Sequence, residues 1–164
     1  MGEAVVTGAF VSRKIESENT SVQIPAISNF TYTVNTLYGV TYYNGLFVAV
    51  GEAGTVVNSP DGENWGTRIS GTPNWLNGIT YGNNKFVSVG GFGTILTSSL
   101  GTTWHTEISP DSTLHLYGIA YNGTNTFVAV GVQGTIYTSS DGQNWSTITP
   151  VTTHVLQGIT YAIR

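Results

Sequence analysis

Residues 37–65 read LYGVTYYNGLFVAVGEAGTVVNSPDGENW. An alternating stretch (GVTYY) meets an Asn-Gly pair at Asn44-Gly45, and an apolar run (LFVAVG) follows to Gly51. A Gly-x-x-Gly-Thr segment, Gly51–Thr55, then separates that run from a β-branched one, TVVNS. Period-2 patterning bounded by Gly and Asn signals short antiparallel strands joined by tight turns. The same stations recur along the chain. Leu-x-Gly opens at Leu37, Leu76, Leu116 and Leu156, at spacings of 39, 40 and 40. Each of the first three openings leads through an apolar run (LFVAVG, KFVSVG, TFVAVG), a Gly-x-x-Gly-Thr turn and a β-branched run to a Trp.

Four strands in about 40 residues is the size of one propeller blade. The repeats therefore predict an all-β protein, a β-propeller of about four four-stranded antiparallel blades in a single domain over residues 1–164. Three repeats occupy residues 37–75, 76–115 and 116–155. Residues 156–164 (LQGITYAIR) supply the first strand of a fourth unit, and residues 9–36 carry its remainder. In that segment Phe10-Val11 stands where Phe47-Val48 does, Ser21–Ile24 gives the third strand and Phe30–Val34 the fourth. The C-terminal strand is thus expected to join the N-terminal blade and close the ring, removing free edges. Small residues in the first strands (Gly39, Gly78, Gly118, Gly158) favour a monomeric four-bladed ring, and a homodimer sharing one larger ring is the alternative.

Composition limits the partners. Charged residues make up 9% of the chain, against about 25% in a typical soluble domain. With a net charge of −4 and five Lys plus Arg, the chain lacks the basic face that a nucleic-acid backbone demands. There is no Cys, which rules out disulfides and thiolate metal sites. His115 and His154 stand 39 residues apart, but two His without a third ligand do not define a metal site, so neither metal nor cofactor is expected. The start of the chain has no signal-peptide pattern, and no apolar run approaches the roughly 18 residues of a membrane helix. A soluble protein with no membrane partner is expected, and the compartment is left open.

The segment between the third and fourth strands looks at first like chemistry. It reads SPDGENW at Ser59–Trp65, SSLGTTW at Ser98–Trp104 and SSDGQNW at Ser139–Trp145. Asp-Gly is a strong hairpin signal, because Gly supplies φ > 0 and Asp caps its own backbone two residues on. A catalytic Asp could not be replaced by Leu100, whereas a turn can survive on Gly101 and Trp104 at a modest cost in stability. Asp61 and Asp141 are therefore read as architecture. These residues resemble the Asp-box (BNR-repeat) propellers, whose motif Ser-x-Asp-x-Gly-x-x-Trp is shared by sialidases, xyloglucan hydrolases, sortilin-type receptors and photosystem II assembly factors. Here Asp and Gly are adjacent, so the turn is one residue shorter. The resemblance covers residues 37–164 well and 9–36 faintly. It implies that the boxes are structural and lie on the face opposite the ligand site.

Sialidase-type chemistry would require, by that resemblance, an arginine triad, a Tyr nucleophile and an acid–base pair. Arg13, Arg68 and Arg164 do not fall at matching stations. Glycoside hydrolysis needs two facing carboxylates, yet Asp61 and Asp141 serve turns, Asp111 lies in a polar loop, and Glu52 is alone in its turn. Gly-x-x-Gly-Thr lacks the Lys and helix of a phosphate cradle. The chain is not expected to be an enzyme.

A binding module remains. The Gly-x-x-Gly turns and the loops leading into each Leu-x-Gly share one face, and there the repeats differ most. The varied residues are Tyr38, Trp75, Asn77, His115, Tyr117 and Gln157 beside the leucines, with Glu52, Phe92 and Gln133 at the turn tips. Aromatics mixed with amides suit a sugar or a peptide, although Trp75 or Tyr117 could equally plug the centre of a small ring. The principal expectation is a lectin-like, glycan- or receptor-binding propeller, the type that by resemblance occurs in bacterial surface and phage tail-associated proteins. A protein-docking scaffold is the alternative and a glycoside-hydrolase-like remnant the second.

Overall fold

A computed structural model describes residues 33–162. Three four-stranded antiparallel sheets account for every strand among them. The first comprises β1 (Leu37–Tyr43), β2 (Leu46–Gly51), β3 (Val56–Ser59) and β4 (Gly66–Arg68). The second comprises β5 (Leu76–Gly82), β6 (Lys85–Gly90), β7 (Ile95–Ser98) and β8 (His105–Thr106). The third comprises β9 (Leu116–Tyr121), β10 (Phe127–Gly131), β11 (Ile136–Ser139) and β12 (Ser146–Ile148). Each sheet runs in sequence order, so every connection is a hairpin. Among the described residues there is no α-helix, only one 3-10 turn in each Gly-x-x-Gly segment.

The alternation within each strand puts apolar residues on both faces, and the core lies between successive sheets. Val48, Val50 and Val56 of the first blade meet Ile79, Phe86, Leu96 and Trp104 of the second. Val87, Val89 and Ile95 of the second meet Ile119, Phe127, Ala129 and Tyr137 of the third. Burying each large aliphatic or aromatic side chain in such an interface contributes ~1.5–3 kcal/mol. Register shows what the neighbour supplies. Ile79, opposite Ser88, is 9% exposed, whereas Val40, at the same station opposite Ala49, is 62% exposed.

The first strands approach one another through glycine. A Cβ on Gly78 would lie 3.2 Å from the Tyr117 carbonyl oxygen and 3.4 Å from Gly118 Cα. One blade further, a Cβ on Gly118 would lie 3.1 Å from Gly158 Cα. Between the first two blades a Cβ on Gly39 would lie 3.4 Å from Gly78 Cα, and there Tyr43 and Tyr81 stack with 3.5 Å between ring centroids.

Two expectations from the sequence are corrected. The described residues form three blades, not about four, and they do not close a ring. Residues 156–162 approach β9, with the Leu156 amide donating to the Gly131 carbonyl, yet they form no strand. A strand needs a ladder partner, and none is present for them among the described residues. Thr33 and Val34, expected to end the fourth strand of a split blade, are likewise irregular. The rest of that blade, residues 9–32 with 163–164, lies outside the described residues. No helix among the described residues is long and apolar enough to cross a membrane.

The glycine contact gives a paired test. Gly78→Val is expected to cost about 1–3 kcal/mol by overpacking, whereas Gly158→Ala, which meets nothing within 4 Å among the described residues, is expected to be near neutral. Chemical denaturation of both variants checks this, and equal losses would show that the strands do not depend on the contact.

Candidate functional site

The two ends of the blades do different work. At one end lie the β3–β4 turns. In the first, the Ser59 hydroxyl accepts from the Gly62 amide at 2.8 Å, and one Asp61 carboxylate oxygen accepts from the Glu63 and Asn64 amides at 2.8 and 2.7 Å. The other oxygen accepts from the Asn64 side chain at 2.7 Å, and Trp65 Nε1 donates to the Gly62 carbonyl at 3.0 Å. Ser139, Asp141, Gln143, Asn144 and Trp145 repeat this arrangement in the third blade. The Asn64 amide, then its side chain, holds Asp61 well below the usual carboxylate range, and the Asn144 amide does the same for Asp141. Both oxygens of each carboxylate accept from their own turn, which makes the two Asp turn anchors.

The second turn shows how the missing carboxylate is tolerated. Ser98 Oγ still accepts from the Gly101 amide at 2.9 Å, and Asn58 of the preceding blade donates to the Gly101 carbonyl at 3.0 Å. That carbonyl is the one the indole would otherwise use. Trp104 instead packs between the first two blades, with its Nε1 buried and without a hydrogen-bond partner among the described residues. Sequence reading missed Asn58, whose only signal is an amide where the other blades carry Thr97 and Thr138.

At the opposite end the 3-10 turns meet the loops that enter each blade. The amides of Glu52, Gly91 and Val132 donate to the carbonyls of Thr36, Trp75 and His115 at 2.9, 2.8 and 3.0 Å. The Trp75 carbonyl occupies the space that a Cβ on Gly90 would need, so glycine is obligatory there. Asn35 and Asn74 brace the loops further, donating to Thr55 and Thr94 hydroxyls at 2.7 and 2.9 Å. Neither Asn stood out from the sequence, although both precede their Leu by two residues.

Backbone anchoring leaves the side chains of this end free. Trp75 and Phe92 are 58% and 60% exposed, and Tyr38 is 44% exposed. Tyr38 and Trp75 lie 6.4 Å apart between ring centroids, inclined at 49°. The Tyr38 hydroxyl donates to Glu52 at 3.0 Å, and the Thr36 amide donates to the other oxygen of that carboxylate at 3.0 Å. The Thr36 amide and then the Tyr38 hydroxyl hold the Glu52 carboxyl below the usual carboxylate range, which favours its ionised form. Phe92 meets His115 edge-on at 4.8 Å, and its amide donates to His115 Nδ1 at 3.1 Å. Phe92 sits at φ 53°, in the left-handed region, as do Ala53 and Gln133 at the matching tips. For a bulky residue that conformation is an outlier, and such strain concentrates at functional sites.

The other residues picked out from the sequence are scattered. Asn77 donates to the Leu116 carbonyl at 2.8 Å, a bond between blades. Tyr117 is partly buried, and Gln133 and Gln157 are exposed. Tyr38, Trp75 and Glu52 form one group, and Phe92 with His115 another. Among the described residues no three His, Asp or Glu side chains gather as a metal site would require.

No protein-family profile matches the chain, and no curated protein matches its sequence. Solved structures do match. YCF48 bound to D1 peptide superposes with a TM-score of 0.65 at 20% identity, covering 75% of this chain and 42% of that one. YCF48 from Cyanidioschyzon merolae gives 0.61 at 20%, covering 72% and 41%. A structural genomics protein of unknown function from Bacteroides thetaiotaomicron gives 0.61 at 15%, covering 77% and 36%. At these identities the likeness is one of fold, and with the three sheets it defines the chain as a β-propeller protein. The chain spans 42% and 41% of the length of the two YCF48 chains.

The turn anchors give two expected outcomes. Leu100→Asp, placing a carboxylate below the free Thr102 and Thr103 amides, is expected to stabilise the protein by about 1 kcal/mol, read as a raised melting temperature. The lowered value of Asp141 makes its contribution complete above the ordinary carboxylate pKa near 4 and progressively lost at lower pH. Stability is therefore expected to be level near neutrality and to fall below about pH 4, less steeply in Asp141→Asn; identical acid profiles would contradict the assignment.

Proposed function

We infer that the chain is a non-catalytic docking module that holds a segment of another protein on the end bearing Tyr38, Trp75 and Phe92. The observation that carries this reading is Phe92: an exposed aromatic ring kept in a left-handed conformation that a Gly would adopt without strain. A residue that costs the fold about 1–2 kcal/mol and covers little of its own surface suits an external contact. Aromatic anchors on braced loops are what protein recognition uses, since little side-chain entropy is lost on binding. A propeller of similar fold carries a bound peptide, D1, which favours a protein ligand over the glycan expected first from the sequence. The turn bonds of Asp61 and Asp141 support kinship with the Asp-box propellers, on whose pattern the boxes lie opposite the ligand end.

A displayed library of random peptides, run beside a glycan array, tests the reading. Peptides are expected to be retained, and Phe92→Gly is expected to weaken them about tenfold or more while leaving the melting temperature unchanged or higher. Retention of glycans and not peptides would overturn it. Peptide retention indifferent to Phe92, Trp75 and Tyr38 together would move the site elsewhere.

A further inference from the structure

The repeat supplies its own internal control at the docking end. Three stations there, one before the Leu, one after it and one at the start of the turn, occur in every blade and carry the same backbone bonds. At the junction of the second and third blades they hold His115, Asn77 and Gly91, and beyond the third blade Val155, Tyr117 and Val132. Only at the junction of the first and second blades do they hold two aromatics and an acid, Trp75, Tyr38 and Glu52. The turn amides are fastened to the entering loops in all three blades by backbone bonds alone, so those bonds do not require two aromatics and an acid here.

We propose that Tyr38, Trp75 and Glu52 form a binding site for an organic cation, the ammonium of a lysine side chain, bare or methylated, on the docked segment. This rests on the docking reading above and names what that end selects. Two exposed rings inclined at 49° with centroids 6.4 Å apart make a cleft in which one cation can lie within about 6 Å of both centroids, the range of cation–π attraction. Glu52 stands at the edge of the cleft, its two oxygens fixed by Tyr38 and Thr36. Each oxygen keeps a lone pair for the ligand. Donation of the Tyr38 hydroxyl to an anion also pushes electron density into its ring, strengthening the face a cation meets.

The surrounding charge agrees. The described residues contain one Lys and one Arg. Lys85 points to Gln143 beside the opposite turns, and Arg68 lies on the outermost strand of its blade. Neither competes for the cleft. Asp111, in the loop before β9, adds a second negative charge to the docking end, so a cationic ligand meets complementary potential.

The probes are N-acetyl-trimethyl-lysine methylamide, the unmethylated lysine amide, and the neutral isostere in which a tert-butyl group replaces the trimethylammonium. Each is titrated into the intact chain while the four Trp indole N–H signals are followed by NMR, that of Trp75 being assigned with Trp75→Phe. The expected result is saturable movement of the Trp75 signal by both cations, with the neutral isostere at least about tenfold weaker. Trp75→Leu is expected to abolish the response, and Glu52→Gln to weaken it several-fold and reduce its dependence on salt. Equal binding of the neutral isostere, movement confined to other Trp signals, or no response at millimolar concentrations would each overturn the proposal. The two readings fail separately. Library peptides that need Phe92 but contain no enriched lysine would remove the cation site and leave docking intact, whereas cation binding without peptide retention would do the reverse.

Discussion

The close passage of one first strand over the next governs this structure. Gly78 sets its Cα against Gly118, and Gly118 against Gly158, at distances where a side chain would strike the neighbouring backbone. That approach lets sheets with two apolar faces stack closely enough to exclude water. A single four-stranded blade is marginal, since one of its faces always remains bare. Val48 and Phe86, or Val87 and Phe127, have no other place to be buried.

The end that carries the 3-10 turns inherits its rigidity from this contact. Because the first strands are fixed, the carbonyls just before them are fixed too, and the turn amides of Glu52, Gly91 and Val132 fasten onto those carbonyls. The same three amide-to-carbonyl bonds recur in every blade although the residues at the turn tips differ. Residues 38, 52, 75 and 92 can then differ from blade to blade without loss of those bonds, which is how a repeated scaffold can carry a single site. At the other end the reverse holds: both oxygens of Asp61 and of Asp141 accept hydrogen bonds from their own turns.

Much of this was legible in the sequence for one reason: it depends on local pattern repeated. Alternation, Asn-Gly, Gly-x-x-Gly-Thr and Asp-Gly each specify a conformation within a few residues, and three copies remove the ambiguity of one. The faces on which Trp75 and Asp141 lie followed from counting strands. What failed to show was pairwise and long-range. Asn58 reaches 43 residues along the chain to the Gly101 carbonyl, and Trp104 consequently turns inward without a hydrogen-bond partner among the described residues. Asn77 looked like a ligand residue because it varies between repeats, yet its amide joins two blades.

The sequence by itself determined the strands, the turns and their order, because each is settled by neighbours within about one blade and the 39- and 40-residue spacing states how many times the unit recurs. It also showed which positions differ between copies, although variation alone does not release a residue from structural duty, as Asn58 and Asn77 show. Only the tertiary structure decided which of them meet. Tyr38 and Trp75 are 37 positions apart, and Glu52 belongs to a different loop from either; they converge because successive blades cross at Gly39 and Gly78 at van der Waals distance. The number of blades was likewise a tertiary matter. The motif at Leu156 is a good copy of a first strand, but a strand exists only where another lies beside it to take its hydrogen bonds.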